Sequence, residues 1–171
     1  MSLIRKATFI LNSARLVLLA LWFGAALFFS VVVAPVAFGV LRSHGLPNAG
    51  ELAGAIVTRS LSVVNVAGFL IALLLLLTLF LVRGSAGRVS FIVEGVCFAV
   101  MALATSLGHW VIAARMRALR AAMVVPIDQI AVDDPRRIAF NHLHGYSVNA
   151  LGLAMIAALV AMVLMARNLR Q

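Results

Sequence analysis

Long apolar runs alternate with short links that carry charge, glycine or proline. Four runs are free or nearly free of charge: Leu16–Leu41, Ser60–Val82, Val89–Ala114 and Leu143–Ala166. Each exceeds the ~20 residues that cross a hydrocarbon core of ~30 Å. Unpaired backbone amides are costly in lipid, so runs of this kind are helical by default. The pattern predicts an all-α fold, a polytopic bundle of four transmembrane helices forming a single domain over residues 1–171.

The links refine that picture. Residues Arg83 to Arg88, with Gly84 and Gly87 between them, make a tight turn that leaves the second and third helices antiparallel neighbours. After the first run, residues Ser43 to Asn48 break the chain, and Asn48 is placed to cap the next helix. Pro126 ends the third helix. Asp134 followed by Pro135 reads as an N-cap with proline in the first turn, which starts the fourth helix well before its apolar run. Together with Arg115, Arg117 and Arg120, these signals predict helices 2, 3 and 4 extended beyond the bilayer on one side, as a small basic cap.

Composition points to the same solvent. Of 171 residues, 64% are hydrophobic and 11% charged, and the mean hydropathy is +1.13. A soluble domain is nearer half apolar and a quarter charged. The net charge of +9 sits at the ends of the apolar runs, where anionic lipid headgroups are the fitting partner. No basic face interleaved with aromatics is present, so nucleic acid is not expected. The single cysteine, Cys97, excludes an intramolecular disulfide. The first run, at 26 residues, is too long for a signal peptide and reads as a retained span. Arginine supplies all the positive side-chain charge except Lys6, and Ala, Val and Leu abound, a skew that suggests a bacterial inner-membrane protein.

Orientation is nearly balanced. The terminal side carries Arg5, Lys6, Arg15, Arg83, Arg88, Arg167 and Arg170; the opposite side carries Arg42, Arg59, Arg115, Arg117, Arg120, Arg136 and Arg137. The basic cluster before the first helix favours cytoplasmic termini. Small residues recur at four-residue spacing: Ala20 and Gly24; Ala26, Ser30 and Ala34; Gly68 and Ala72; Ala150, Ala154 and Ala158. Such patterns allow close helix approach, within the bundle or between copies of a homo-oligomer.

Two stretches resemble a known family. The first runs Leu21-Trp22-Phe23-Gly24 through Phe28-Phe29 to Ala34-Pro35 and Phe38, followed by Ala49-Gly50-Glu51-Leu52-Ala53-Gly54. The second is Phe140-Asn141-His142-Leu143-His144-Gly145-Tyr146-Ser147-Val148-Asn149. Together they resemble transmembrane protein 205 and its bacterial relatives, a membrane domain of unknown function. The resemblance implies a four-helix membrane domain and no settled activity. The family's Leu-His-Gly-x-Ser pattern falls on Leu143, His144, Gly145 and Ser147.

Polar groups inside apolar runs are expensive and therefore informative. Glu94 either reaches toward Arg88 or Arg83 near the headgroups or serves as a proton or cation site. Glu94, Cys97, Met101, Thr105 and His109, spaced 3, 4, 4 and 4, form one helical stripe. That stripe is the inward face of a bundle or the lining of a path for a soft metal ion or small cation. His44, His109, His142 and His144 all fall toward one end of the bundle, with Asn65, Ser106, Ser147 and Asn149 in the same half. A hydrogen-bonded network accounts for them, and so does a ligand pocket centred on His109 and His144.

Three functions compete. The first is transport or handling of a small ligand or metal ion at a polar pocket between the helices. The second is binding of haem or a metal ion by His109 and His144, with His44 and His142 as further candidate metal ligands. The third is a structural or partner-binding subunit that docks through its basic cap. Enzymatic motifs such as HExxH, GxSxG, GxGxxG and the P-loop are absent, and no acid is placed to orient His144 for catalysis by Ser147.

Overall fold

The structure is a computed structural model that describes residues 3–46, 48–85, 87–123 and 125–169. Among these residues it is entirely helical. Helix α1 (Leu3–Phe28) runs into a π-helical turn, Phe29–Val33, and continues as α2 (Ala34–Ser43). Helix α3 (Ala49–Leu79) ends in a 3₁₀ turn, Phe80–Ser85. Helix α4 (Arg88–Ser106) passes through a second π-helical turn, Leu107–Ile112, into α5 (Ala113–Ala121). A 3₁₀ turn, Ile127–Gln129, precedes the long α6 (Pro135–Asn168).

These elements make four spans long and apolar enough to cross a membrane: Arg5–Ser43, Ala49–Val82, Arg88–Ala121 and Pro135–Asn168. The last three have 34 residues each. At 1.5 Å per residue such a helix is about 50 Å long, roughly 20 Å more than a hydrocarbon core. Large apolar side chains point outward along all four spans, among them Leu21, Val63, Leu77, Leu103 and Ile156. An outer surface of this kind suits lipid.

The interior is small and tightly filled. Helix α4 packs along both α3 and α6, and α1 lies against α6 and α3. Ala72, Ala154, Ala158 and Ala161 are buried at the seams, where small side chains let backbones approach. Leu19, Leu75, Phe98, Met101 and Thr105 fill the middle, each under 2% exposed. Trp22 reaches across from α1, and its indole N–H donates to the Val64 carbonyl at 2.9 Å.

Helix ends follow local chemistry with one exception. The Asp134 carboxylate accepts from the Arg136 amide at 2.8 Å, a true N-cap, with Pro135 in the first turn. The hydrogen bond from the Arg136 side chain, aided by that from its amide, holds the Asp134 carboxyl down at about 2. Asn48 occupies the N-cap position of α3, but its side chain makes no capping hydrogen bond. After α2 the chain turns at Gly45, whose φ of 64° suits glycine.

The cap side of the bundle is tied by one arginine. Arg120 of α5 lies over the Phe140 ring of α6, 5.0 Å from its centroid. Its guanidinium also fills the space beside Gly54 of α3, where a side chain would collide with it.

Candidate functional site

Polar side chains gather at two depths, separated by the filled layer of Leu19, Leu75, Phe98 and Met101. Glu94 and His109 mark those depths on the third span, fifteen positions apart in number, about 22 Å along a helix.

On the side of the termini, Arg15 and Glu94 are buried at 4% and 2% exposure. Arg15 donates to Asn12 Oδ1 at 3.1 Å and to the Leu75 carbonyl at 3.2 Å. Its guanidinium stands 5.7 Å from the centre of the Phe98 ring, and its Nε is buried without a hydrogen-bond partner. Glu94 accepts from Asn168 Nδ2 at 2.8 Å and from Ser90 Oγ at 3.3 Å. No ion pair joins Arg15 to Glu94 among the described residues, but Phe98, beneath the Arg15 guanidinium, lies one turn along α4 from Glu94, so groups from all four spans gather at one node. The sequence alone offers Arg88 or Arg83 as the partner of Glu94; no hydrogen bond or ion pair joins Glu94 to Arg88 among the described residues, and the side chain of Arg83 lies outside them. Arg15, Asn12 and Asn168 were missed as partners, although Asn12 and Arg15 at i, i+3 share one face with Leu16 and Leu19 nearby.

On the cap side, a cavity of about 500 Å³ is lined by all four spans. Its wall is mostly apolar, with Phe29, Pro35, Phe38, Leu61, Leu151 and Met155. Polar groups enter it from all four spans: Ser30 on the first π turn, Thr58, Ser62 and Asn65 on α3, His109 on the second π turn, and His144 and Ser147 on α6. His109 Nδ1 lies 3.1 Å from Ser62 Oγ, and its ring meets that of Trp110 edge-on at 4.8 Å. Thr58 is turned back on its own helix, donating to the Gly54 carbonyl at 2.6 Å. Thr58 and Ser62 escaped the sequence reading; their spacing of four, then three to Asn65, was the available signal.

Asn65 and Ser147 behave differently. They are 3% and 6% exposed and both line the cavity. Neither side chain has a hydrogen bond among the described residues. Their polar atoms open onto the cavity and are not sealed in the core, where Arg15 Nε is the unpartnered atom among the described residues, so a molecule in the cavity can reach them. Gly108 makes room for the amide: a Cβ there would stand 3.1 Å from Asn65 Nδ2.

Both π-helical turns border this cavity. The first contributes Phe29 and Ser30, and the second contributes His109. Turns of this type shift the side chains that follow and are frequent at functional sites.

The remaining candidates lie elsewhere. Cys97, Met101 and Thr105 are buried in the core on the inward face of α4, and the Thr105 hydroxyl donates to the Met101 carbonyl at 2.7 Å. Ser106 donates to the Leu103 carbonyl at 3.0 Å and is not part of the cavity wall. His44, at the end of α2, is exposed and its Nδ1 lies 2.8 Å from the Val40 carbonyl. His142 and Asn149 face away from the cavity, beside Asn141, Gly145 and Tyr146 in a shallow depression on the outer side of α6. Among the described residues, no three His, Cys, Asp or Glu side chains are close enough to hold one metal ion.

Four long apolar spans with a largely apolar outward surface define a polytopic α-helical membrane protein. Residues 17–124 match the family described as a domain of unknown function, DUF4149, and the chain belongs to that family. The match covers most of the first span and all of the second and third, and stops before α6, which carries His144 and Ser147. No curated protein and no solved structure matches the chain.

Proposed function

We propose that the protein binds a small molecule in the cap-side cavity and handles or transports it within the membrane. The observation that carries this reading is the pair Asn65 and Ser147, buried polar groups facing one cavity with no protein partner. A volume of about 500 Å³ lies within the usual range for ligand sites, ~300–1,000 Å³. Protein purified in lipid, extracted with organic solvent and examined by mass spectrometry tests it. A compound retained by the wild type and depleted in Asn65→Leu and Ser147→Ala is expected. Equal content in all three proteins would remove the cavity as its site.

A second reading rests on His109 and His144 lining the same cavity. Two imidazoles from different helices are the ligand set for a haem iron or a metal ion. A visible absorption band in the purified protein, lost in both His109→Ala and His144→Ala, would favour it over an organic ligand.

In our reading the chain is a bacterial relative of transmembrane protein 205, resident in the inner membrane with its termini in the cytoplasm. Arg115, Arg117, Arg136 and Arg137 then rest against anionic headgroups on the far side. Labelling of a cysteine at position 3 from outside intact cells would reverse that orientation. Association into homo-oligomers fits the small-residue seams and is read from the mass of the complex in mild detergent.

A further inference from the structure

We infer that the cavity takes a neutral amphiphile, an apolar body with an uncharged hydrogen-bonding head, admitted from the lipid phase between α2 and α6. This rests on the cavity being a ligand site, as proposed above, and adds the class of ligand and its route.

The lining sets the head. No Asp, Glu, Lys or Arg is among the residues of the wall. The buried charges Arg15 and Glu94 lie beyond the core layer, and Arg120 is held by Phe140 and Gly54. A charged head would therefore be stripped of water with no carboxylate, ammonium or guanidinium in the wall to meet it, which is strongly unfavourable; the imidazoles of His109 and His144 are the wall's ionisable groups. An uncharged one finds what it needs: the Asn65 amide supplies two N–H donors and an acceptor, and the Ser147 hydroxyl supplies one of each. A hydroxyl or carbonyl head matches that set. The body of the ligand meets Phe29, Phe38, Leu61, Leu151 and Met155.

The helix path sets the route. Helix α1 packs against α6, but beyond the first π turn α2 stays on α3 and forms no comparable seam with α6 among the described residues. Pro35 lies just past that turn. One rim of the gap is Ala34, Pro35 and Phe38; the other is Val148, Gly152 and Met155. Gly152 carries no side chain, and nothing stands within 4 Å of where a Cβ would be. Ser30 and His144, at the edges of these two stretches, are polar; the residues between them on either side are apolar or small, so that part of the gap faces lipid tails more readily than water.

The test uses the full-length protein in nanodiscs of neutral lipid. The probes are a monoalkyl glycerol with a diazirine in its chain, the alkyl carboxylate of the same length and the matching alkyl trimethylammonium. Labelled peptides are mapped by mass spectrometry. The glycerol probe is expected to label α2 and α6 at the rim and to be competed by its unlabelled form. Loss of one good hydrogen bond lowers affinity by roughly tenfold, the effect expected for Asn65→Leu and, more gently, for Ser147→Ala. Gly152→Phe, placed in open space at the rim, is expected to abolish cavity labelling and leave the protein monodisperse. Stronger cavity labelling by either charged probe would overturn the ligand class and leave the site standing. Unchanged labelling in Gly152→Phe would overturn the route. Failure of all three probes to label cavity peptides would overturn the site itself and the inference with it.

Discussion

The indole ring of Trp22 occupies the space that a side chain on Gly68 would take. A Cβ built on Gly68 would stand 2.7 Å from the indole Nε1, and that same nitrogen donates to the Val64 carbonyl one turn earlier. The first and second spans are thus joined by a ring seated on bare backbone.

Gly68→Ala is therefore expected to lower stability by about 1–3 kcal/mol, the usual range for overfilling a packed core. Trp22→Phe keeps much of the apolar bulk and loses the hydrogen bond, for about 1 kcal/mol. Unfolding in mild detergent measures both. Wild-type stability in Gly68→Ala would mean that the indole has another place to go.

Asn65→Leu should affect binding more than stability. The Asn65 amide opens onto the cavity and is not sealed in the core, so replacing it is expected to change the stability of the ligand-free protein by no more than about 1 kcal/mol. Retention of the cavity ligand should fall. A variant that is both less stable and fully competent to bind would contradict the assignment of Asn65 to the site.

Arg15 and Glu94 should be coupled through the node they share, although no ion pair joins them directly among the described residues. Arg15→Met and Glu94→Leu each strand hydrogen-bond partners, at about 1–3 kcal/mol, and the double variant is expected to cost less than their sum. Additive losses in the double-mutant cycle would show that the two charges do not support each other.

The start of α6 should depend on pH in the acid range. The Asp134 carboxyl is held down at about 2 by Arg136, below its ordinary value near 4. A depressed carboxyl stabilises the fold while ionised. Its contribution is complete above about pH 4 and declines as pH falls toward about 2. Amide exchange at Arg136 and Arg137 should accelerate over that interval, and Asp134→Ala should remove the dependence. An unchanged profile in that variant would assign the effect to another group.

The four spans were legible because their apolar runs are long and their breaks carry distinctive chemistry. Asp134-Pro135 announced the start of α6 to the residue. Asn48 had the right position without the hydrogen bond, since a cap depends on the path of the preceding loop as well as on side-chain type. Depth was readable for the site residues, but rotation about the helix was not. His109, His144, Asn65 and Ser147 share a cavity, whereas Ser106 and Asn149, at similar depths, turn elsewhere. The node around Arg15 was harder still. Asn12, Arg15 and Asn168 lie beyond the ends of the charge-free runs, so they looked like headgroup residues. The added length of α1, which begins at Leu3, carries Asn12 and Arg15 into packed helix, and that of α6, which runs to Asn168, carries Asn168.

Chain length is a determinant of the cavity in its own right. A π-helical turn accommodates one residue more than the α-helical path around it, so each of the two turns acts as a single-residue insertion held in register by its neighbours. Deleting one residue within 29–33 would close the wide turn to a regular helix and leave Pro35 and Phe38 facing the cavity, because a wide turn and the α turn that replaces it rotate the chain by nearly the same angle. Deleting one within 107–112 would likewise leave Ala113, Met116 and Arg120 in place and remove the widening that carries His109. At these two points the loss of one residue changes only the wall beside the turn, whereas in the regular parts of the spans it would swing every later position by about 100°.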